Sequence, residues 1–398
     1  MSGERRRHRP VEPGPPVELT VTALAAGGDG VARDEGGRVT FVARTAPGDR
    51  LLARVTRATK SFAHAELLDV LQPSPHRVEP PCPHFTHGCG GCQWQHVARA
   101  EQLRAKQAIV SGALRKLVGL TVHDLADPAP PLGWRRRARF HVAGGKVGLF
   151  ALESHRVIAI DHCPQLEARL DAALGQVAAW SPPDGELALV VGHAGDVAVG
   201  VGKPWKAAAR LVGKAAIRGV IAGDATYGDP VIELEPGLWG GPWEFAQASA
   251  AGNAALIART REAVGTGAGR LVELYAGSGN ITRALVADGW QVIAADVTAP
   301  VKPVGAEHLV GPVADTLASL TGPVSALVLD PPRTGAADSL DDIVRLAPSV
   351  IAYVSCDVAT LARDAERLVA AGYRATDAWP IDVMPQTAHI EVVMRLVR

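Results

Sequence analysis

The stretch of sequence that decides the fold is residues 271–280, which read Leu-Val-Glu-Leu-Tyr-Ala-Gly-Ser-Gly-Asn. Apolar residues typical of a buried strand run directly into a glycine-rich turn, and a helical stretch follows. Further short apolar runs, separated by helical stretches, lie at Val292 to Ala295, Ala326 to Leu329 and Val350 to Val354. Buried strands that alternate with helices are typical of a doubly wound α/β domain with a largely parallel sheet. We therefore predict a Rossmann-like α/β domain over residues 241–398.

The glycine-rich turn indicates a nucleotide-like ligand. Gly277 and Gly279 let the backbone approach a ligand closely, although two glycines alone are a weak signal. The next predicted strand ends in Asp296, about 20 residues later, where a carboxylate can accept hydrogen bonds from both ribose hydroxyls. The turn lacks the third glycine of the dinucleotide fingerprint and the Gly-Lys-Ser/Thr of a P-loop, which disfavours a pyrophosphate or triphosphate. S-adenosylmethionine, an adenosine cofactor without phosphates, fits better.

Two later strands also end in residues that can perform chemistry. Asp330-Pro331-Pro332-Arg333 follows one buried strand, and Cys356 follows the next. Open α/β sheets bind their ligands at the carboxyl ends of the strands, and the Pro-Pro pair prevents an immediate helix start, so that Asp330 projects. A lone cysteine in a strand is usually an inert hydrophobic residue, but beside a cofactor site its thiolate can act as a nucleophile. These residues are therefore candidates for a reaction centre.

The first part of the chain has a different pattern. Residues 1–16 are rich in Arg and Pro without periodicity, which predicts a disordered basic tail. Residues 17–72 contain short Val/Thr/Leu runs separated by turns such as Gly27-Gly28-Asp29-Gly30. This spacing predicts a five-stranded, OB-like β-barrel of the kind that binds oligonucleotides. A barrel that only packs on its neighbours is the alternative.

Residues 73–240 form the predicted central domain, which is β-rich from residue 141 onward. A helical stretch from Ala98 to Val118 is rich in basic residues, and residues 134–140 contain four arginines flanked by Trp and Phe. Such segments are suited to phosphate contact and base stacking, although basic residues on a helix are more often only solvated.

Four of the five cysteines form a candidate metal site. Cys82, Cys89 and Cys92 follow a C-x6-C-x2-C spacing, and Cys163 lies about 70 residues further on. Such a set suits either a zinc ion or an iron–sulfur cluster, and the spacing by itself favours zinc. Mixed ligation is also open, since three histidines lie nearby at His84, His87 and His96.

Composition sets broader bounds. A chain of 398 residues with 47% apolar side chains is long enough for two or three cores. Lys+Arg and Asp+Glu both number 41, so net charge neither favours nor excludes a polyanionic partner. No apolar run approaches the roughly 20 residues of a membrane-spanning helix, and the N-terminus lacks the apolar core of a signal peptide. We expect a cytoplasmic protein, monomeric and without a membrane partner.

Taken together, these motifs resemble the 5-methyluridine RNA methyltransferase family. The run from Gln247 through the glycine-rich turn to Asp330-Pro331-Pro332-Arg333, Ser355-Cys356 and His389-Ile390-Glu391 is similar to the catalytic domain of that family. The barrel resembles its TRAM domain, and the four cysteines resemble the ligands of its [4Fe-4S] cluster. A TRAM-like barrel together with these cysteines is typical of the members that act on large-subunit 23S ribosomal RNA.

The resemblance implies a mechanism and a set of site residues. Cys356 would attack C6 of a uracil, which activates C5 to accept the methyl group, and Glu391 would then remove the C5 proton. RNA would be the partner, S-adenosylmethionine the cofactor, and [4Fe-4S] rather than zinc the group held by the cysteines. The residues expected to contact cofactor or base are Gln247, Tyr275, Gly277, Gly279, Asn280, Asp296, Asp315 and Asp330.

The sequence also departs from the family pattern. Asp357-Val358 replaces the usual Asn-Pro, Ser249 replaces an Asn, and Glu273 replaces an Asp. These changes keep three other functions open: a transfer-RNA uracil-C5 methyltransferase, a catalytically drifted RNA-binding protein, and a methyltransferase acting on another base or on protein.

Overall fold

The computed structural model describes residues 14–398 and divides into two compact units. The first unit runs to Ile109 and includes Gln386–Ala388, while the second comprises Val110–Pro385 and His389–Arg398. The basic tail predicted for residues 1–16 lies outside the described residues except for its last three positions. The domain boundaries proposed from the sequence remain predictions.

The first unit contains a closed five-stranded barrel. Its strands are β1 (Val17–Leu24), β2 (Gly30–Arg33), β3 (Val39–Val42), β4 (Arg50–Ala58) and β5 (Phe62–Gln72). Their order is β1-β2-β3-β5-β4, with only β3 and β5 parallel. Apolar residues alternate with polar ones, so that Leu19, Val21 and Leu51 point into the same core. The barrel predicted from the turn spacing is confirmed.

The remainder of the first unit carries the cysteine segment. It contains the short helix α1 (Pro83–Thr86) and the beginning of α2 (Arg99–Leu114). Trp94 is fully buried, and its indole N–H donates to the carbonyl of Gly28 at 2.8 Å. Gln102 donates to the carbonyls of Trp94 and Val97 at 3.0 and 2.8 Å, which anchors the start of α2.

The second unit begins with an antiparallel, seven-stranded sheet that contains one parallel pair. Its strands are β7 (Arg137–Ala143), β8 (Lys146–Phe150), β9 (Val157–Ala159), β10 (Gly185–Val191), β11 (Val197–Val201), β12 (Ile217–Ala222) and β13 (Ala225–Gly228). The order is β13-β12-β11-β10-β7-β8-β9, in which β11 and β12 are parallel. Helix α3 (Ala168–Ala178) packs on β10 and β11, and a hairpin follows, β14 (Ile232–Glu235) with β15 (Leu238–Gly240).

The second unit ends in an eight-stranded α/β sheet. Its strands are β16 (Arg270–Leu274), β17 (Gln291–Asp296), β18 (Glu307–Val310), β19 (Ala326–Leu329), β20 (Val350–Ser355), β21 (Arg374–Ile381), β22 (Glu391–Val397) and the earlier β6 (Thr121–Val122). They are ordered β18-β17-β16-β19-β20-β22-β21-β6; the first five are parallel, and β22 is antiparallel to both neighbours.

Five helices accompany this sheet. They are α4 (Ala250–Val264), α5 (Thr282–Ala287), α6 (Val313–Ser319), α7 (Leu340–Leu346) and α8 (Val358–Ala370). All four residues of β19 are buried, which explains its uninterrupted apolar sequence. The predicted doubly wound domain is confirmed. Across residues 14–398, no helix combines the length and the apolar character needed to cross a membrane.

Candidate active site

One edge of the eight-stranded sheet brings the predicted site residues together. Leu274 pairs with Ala295 and with Leu329, and Leu329 pairs with Tyr353, so these parallel strands end side by side. The residues at or just beyond the four strand ends are Tyr275, Asp296, Asp330 and Cys356. The carboxyl edge of an open parallel sheet is where such folds bind ligands.

The antiparallel strand β22 supplies a carboxylate from the opposite direction. Ser355 pairs with Val392, so the next position along this register sets Cys356 opposite Glu391. Cys356 is half-buried and Glu391 is buried. The candidate nucleophile and the candidate base therefore meet because an antiparallel strand begins where a parallel strand ends.

Burial and nearby charges control the Cys356 thiol. Burial, together with the negative charges of Glu391 and Asp330, raises its pKa to about 11, while the Arg333 guanidinium opposes the increase. The resting side chain is therefore a neutral thiol. A reaction that uses its thiolate must generate that form when substrate is bound.

The pKa values of the two carboxyl groups beside the thiol are also raised. Burial raises the pKa of Asp330 to about 6. Burial, together with the charge of Asp330, raises the pKa of Glu391 well above its usual range, and Arg333 lowers it. Arg333 itself donates to Nδ1 of His389 at 3.1 Å. Once ionised, Glu391 is a stronger base than an exposed glutamate.

The glycine-rich turn is fixed on Asp296. The backbone N–H of Gly277 donates to Oδ2 of Asp296 at 2.9 Å, and the N–H and hydroxyl of Thr298 both donate to Oδ1 at 2.9 Å. Gly279 has φ +89°, and a Cβ there would lie 2.8 Å from Cγ2 of Val304. Glycine is required at that position by both conformation and space.

A hydrogen-bond chain that sequence reasoning missed supports the end of this turn. Asn280 and Asn253 exchange two amide hydrogen bonds, at 2.7 and 3.0 Å. Asn253 Nδ2 also donates to Oε1 of Glu235 at 2.9 Å, and Arg136 donates to the same oxygen at 2.9 Å. No local sequence signal could have revealed these partners, because they lie 18 to 99 residues apart.

Two further acidic residues were missed as parts of the site. Glu273 is 2% exposed, its Oε2 makes no hydrogen bond within residues 14–398, and burial raises its pKa to about 8. Asp364 is fully buried and accepts from the N–H of Ala336 and the hydroxyl of Tyr353, both at 2.8 Å. The Asp364 carboxylate therefore holds the loop after Asp330-Pro331-Pro332 against the end of β20.

Other predicted cofactor residues are less constrained. Gln247 is half-buried just before α4, and Tyr275 lies at φ +61° with its hydroxyl 3.4 Å from that of Ser339. Asp315 is exposed in the first turn of α6. These assignments remain predictions.

Two of the three departures from the family pattern, Ser249 and Asp357, lie at helix starts. Asp357 caps α8 by accepting from the N–H groups of Ala359 and Thr360, at 3.0 and 2.9 Å. Ser249 caps α4 by accepting from Gly252 at 3.1 Å. Asp, Ser and Asn are all strong N-cap residues, so both changes preserve the caps.

The structure corrects part of the predicted basic surface. Arg136 is 5% exposed and bonds to Glu235 and to the carbonyl of Leu234, so it is not available for phosphate contact. Lys106 is fully buried against the Trp94 ring, and Arg104 pairs with Glu101. The basic residues of α2 therefore do not form one continuous charged face.

The predicted metal ligands divide between the units. Cys82, Cys89 and Cys92 are buried in the first unit, Cys163 is half-buried in the second, and all four are free of disulfides. Nowhere in the described part of the chain do three or more His, Cys, Asp or Glu residues form a group arranged to hold a metal ion. The donor type still fits, since buried thiols suit soft metals and the N–H of Gly91 donates to Cys89 Sγ at 3.4 Å.

The sheet order and the turn at its edge define the fold of the S-adenosylmethionine-dependent methyltransferases. The solved Pyrococcus abyssi tRNA (uracil-54, C5)-methyltransferase, in complex with S-adenosyl-L-homocysteine, has a similar fold, with a TM-score of 0.74. At 20% identity, the match covers 96% of this chain and 100% of that one. Residues 10–68 match the TRAM domain.

Sequence relatives identify the family. The chain is 32% identical to the 23S rRNA (uracil(1939)-C(5))-methyltransferase RlmD of a Marinomonas species, over 98% of this chain and 96% of that protein. It is also 32% identical to an uncharacterised RNA methyltransferase of Gloeobacter violaceus, over 98% and 99%. The protein belongs to the RNA methyltransferase family that includes the 23S rRNA uracil-C5 methyltransferases.

Proposed function

We propose that this protein transfers a methyl group from S-adenosylmethionine to C5 of a uridine in 23S ribosomal RNA. The observation that carries the proposal is the meeting of Cys356 and Glu391 at the sheet edge next to the glycine-rich turn. The names of several relatives support ribosomal RNA as the substrate.

The chemistry follows from the difficulty of methylating an unactivated uracil. The sulfur of Cys356 bonds to C6 with loss of the thiol proton, and the electron pair of the C5–C6 double bond becomes available at C5. S-adenosylmethionine supplies the methyl group that C5 takes. Glu391 then removes the remaining C5 proton, the sulfur–C6 bond breaks, and the double bond reforms.

Arg333 lowers the pKa of both reacting groups through its charge. It therefore stabilises the two anions that the reaction requires, the Cys356 thiolate and the Glu391 carboxylate. Asp296, which accepts from the N–H of Gly277, would hold the adenosine ribose together with the backbone at Gly279.

Methyl transfer and the proposed intermediate can be tested together. Purified protein is incubated with methyl-labelled S-adenosylmethionine and total RNA from a strain lacking the protein, and the RNA is digested to nucleosides. Label in 5-methyluridine of the large ribosomal RNA is expected. Label in transfer RNA would show that the substrate is transfer RNA and not ribosomal RNA. Label in another base or in protein would refute uridine methylation.

Three variants test the assigned roles. Glu391→Gln should accumulate a denaturant-resistant protein–RNA adduct, because the carbon–sulfur bond forms but the C5 proton stays. Cys356→Ala should form neither adduct nor product. Glu366→Gln, which alters an exposed carboxylate on α8 paired with Lys116, should behave like the wild type. An adduct in the Cys356→Ala variant would eliminate this cysteine as the nucleophile.

We further propose that Cys82, Cys89, Cys92 and Cys163 hold a [4Fe-4S] cluster with a structural role. The proposal is supported by four cysteines that form no disulfide and by the N–H of Gly91, which donates to Cys89 Sγ. Protein purified without oxygen should contain iron and acid-labile sulfide in equal amounts. Zinc without sulfide would favour the alternative metal. Protein that contains neither iron nor zinc would refute the metal site.

A further inference from the structure

Strand β7 presents a row of cationic and aromatic side chains on one face. Its residues alternate between buried and accessible positions, so that Arg137, Arg139 and His141 share the face opposite Ala138 and Phe140. The arginine face, defined as Arg137, Arg139 and His141, therefore follows from the period-two pattern of the strand.

Each residue of the arginine face rests on an aromatic ring. The Cζ atoms of Arg137 and Arg139 lie 5.6 Å from the ring centroids of Phe245 and Trp243, respectively. His141 stacks on Phe150, with 3.7 Å between the ring centroids. A Cβ on Gly200 would lie 2.6 Å from the indole of Trp243, so this glycine makes room for the ring under Arg139.

Aromatic support orients a guanidinium without neutralising it. A carboxylate partner would cancel the positive charge, whereas a π-face leaves the N–H donors and the net charge available to an anion. The nearby carboxylates neutralise little of the positive charge on the arginine face. Glu186 lies 3.8 Å from Arg139 with both side chains exposed, and Glu244 is engaged by the N–H of Gly241 at 2.7 Å.

The two arginines are also close enough to repel each other. Burial lowers the pKa of Arg137 to about 10, and the charge of Arg139 contributes to that decrease. Within residues 14–398, the buried Nε of Arg137 makes no hydrogen bond. An anion placed between the two guanidiniums would relieve the repulsion between their charges.

The arginine face begins beside the cofactor turn. Phe245 is 63% exposed and lies two positions before Gln247, and its carbonyl accepts from the Ser278 hydroxyl at 3.5 Å.

The spacing of Arg137 and Arg139 also suits a nucleic-acid strand. Residues two apart on a β-strand are separated by about 6.8 Å, which is comparable with the spacing of successive phosphates in an extended nucleic-acid strand.

We propose that the arginine face binds the phosphates of single-stranded RNA flanking the target nucleotide, with Arg137 and Arg139 on successive phosphates. This inference rests on RNA being the substrate. It goes further by assigning the path of the strand along β7 and a recognition that does not depend on base sequence.

Salt dependence of RNA binding tests the proposal separately from methylation. Binding of the full-length protein to fluorescent single-stranded oligonucleotides, one uridine-rich and one adenosine-rich, is measured by anisotropy over a range of salt concentrations. Each lost phosphate contact should reduce the slope of log affinity against log salt by about 0.7. Arg137→Ala and Arg139→Ala should each show this decrease equally on both sequences.

Matched variants separate charge from structure. Arg139→Lys keeps the charge and should retain the wild-type salt slope. Arg218→Ala removes an exposed arginine from β12 that pairs with Asp196 and Asp229, and should leave the slope unchanged. In methylation assays, Arg139→Ala should raise KM for RNA with little change in kcat and unchanged affinity for S-adenosylmethionine.

The outcomes distinguish the two proposals. A wild-type salt slope in folded Arg137→Ala and Arg139→Ala proteins would overturn the arginine face as an RNA site, even if uridine were methylated. If the salt slopes decrease but no uridine is methylated, the arginine face is supported as an RNA site and the proposed methylation reaction is refuted.

Discussion

The raised pKa of Cys356 makes a quantitative prediction about its reactivity. The shift from the ordinary thiol value of 9.0 to about 11 lowers the thiolate fraction about a hundredfold at neutral pH. A thiolate of higher pKa is intrinsically more nucleophilic, by about eightfold for two pKa units in thiol–disulfide exchange. Cys356 should therefore react with a disulfide reagent about tenfold more slowly than an unhindered cysteine.

Replacing Glu391 should lower the pKa of Cys356. Glu391→Gln removes a negative charge that raises the pKa of Cys356, so the pH–rate profile should move to lower pH. The profile should not reach that of an ordinary thiol, because burial is the largest cause of the shift. Arg333→Ala should move it to higher pH, since the guanidinium stabilises the thiolate.

The assay follows Cys356 by peptide mass spectrometry after timed exposure to an aromatic disulfide, which separates it from the other four cysteines. A short unfolded peptide containing Cys356 provides the reference rate, and thermal melts confirm folding. Because both variants keep the thiol in the same half-buried position, comparing them with the wild type cancels differences in access. Equal rates for protein and peptide, or a Glu391→Gln profile shifted to higher pH, would refute the electrostatic reasoning.

Three further predictions concern single side chains. The pKa of Glu273 rises from 4.5 to about 8 on folding, so the folded state retains a proton that the unfolded chain loses. The contribution of Glu273 to stability should be fully present below about pH 4.5 and should be lost, by a few kcal/mol, as the pH rises to about 8. Glu273→Gln should remove this decline in urea titrations, and an unchanged decline would show that another group causes it. Asn253→Ala breaks both amide bonds to Asn280 and should weaken S-adenosylhomocysteine binding roughly tenfold by calorimetry. Unchanged affinity in the folded variant would show that this pair does not position the turn. Asp357→Ala should lower the free energy of unfolding by about 1 kcal/mol, whereas Asp357→Asn should stay within a few tenths of the wild type; equal losses in both would argue against the cap.

The departures from the family pattern at positions 249 and 357 have a simple physical basis. Ser249 and Asp357 each accept from backbone N–H groups at the start of a helix, a task that Asn performs equally well. The replacement of Asp by Glu273 is different, because this longer carboxyl group is buried with an oxygen that makes no hydrogen bond within residues 14–398. The pH dependence predicted for Glu273 follows from that position.

Local sequence patterns determined the architecture. The buried run of β16 followed by a glycine-rich turn, and the apolar runs of β17, β19 and β20, predicted the parallel sheet because strands covered on both faces require continuous apolar residues. The same rule predicted that Asp296, Asp330 and Cys356 meet at one edge, since carboxyl ends of parallel strands converge there. The predicted role of Glu391 came only from family resemblance.

Tertiary structure decided which polar residues remain available for function. In sequence, Arg136, Arg137 and Arg139 form one basic segment, yet Arg136 is buried on Glu235 while the other two share the opposite side of β7 with aromatic partners. The chain from Arg136 to Asn280 and the raised pKa of Cys356 likewise depend on residues distant in sequence. Burial and long-range partners set a charge's environment, and neither follows from local spacing, so only the folded chain determines them.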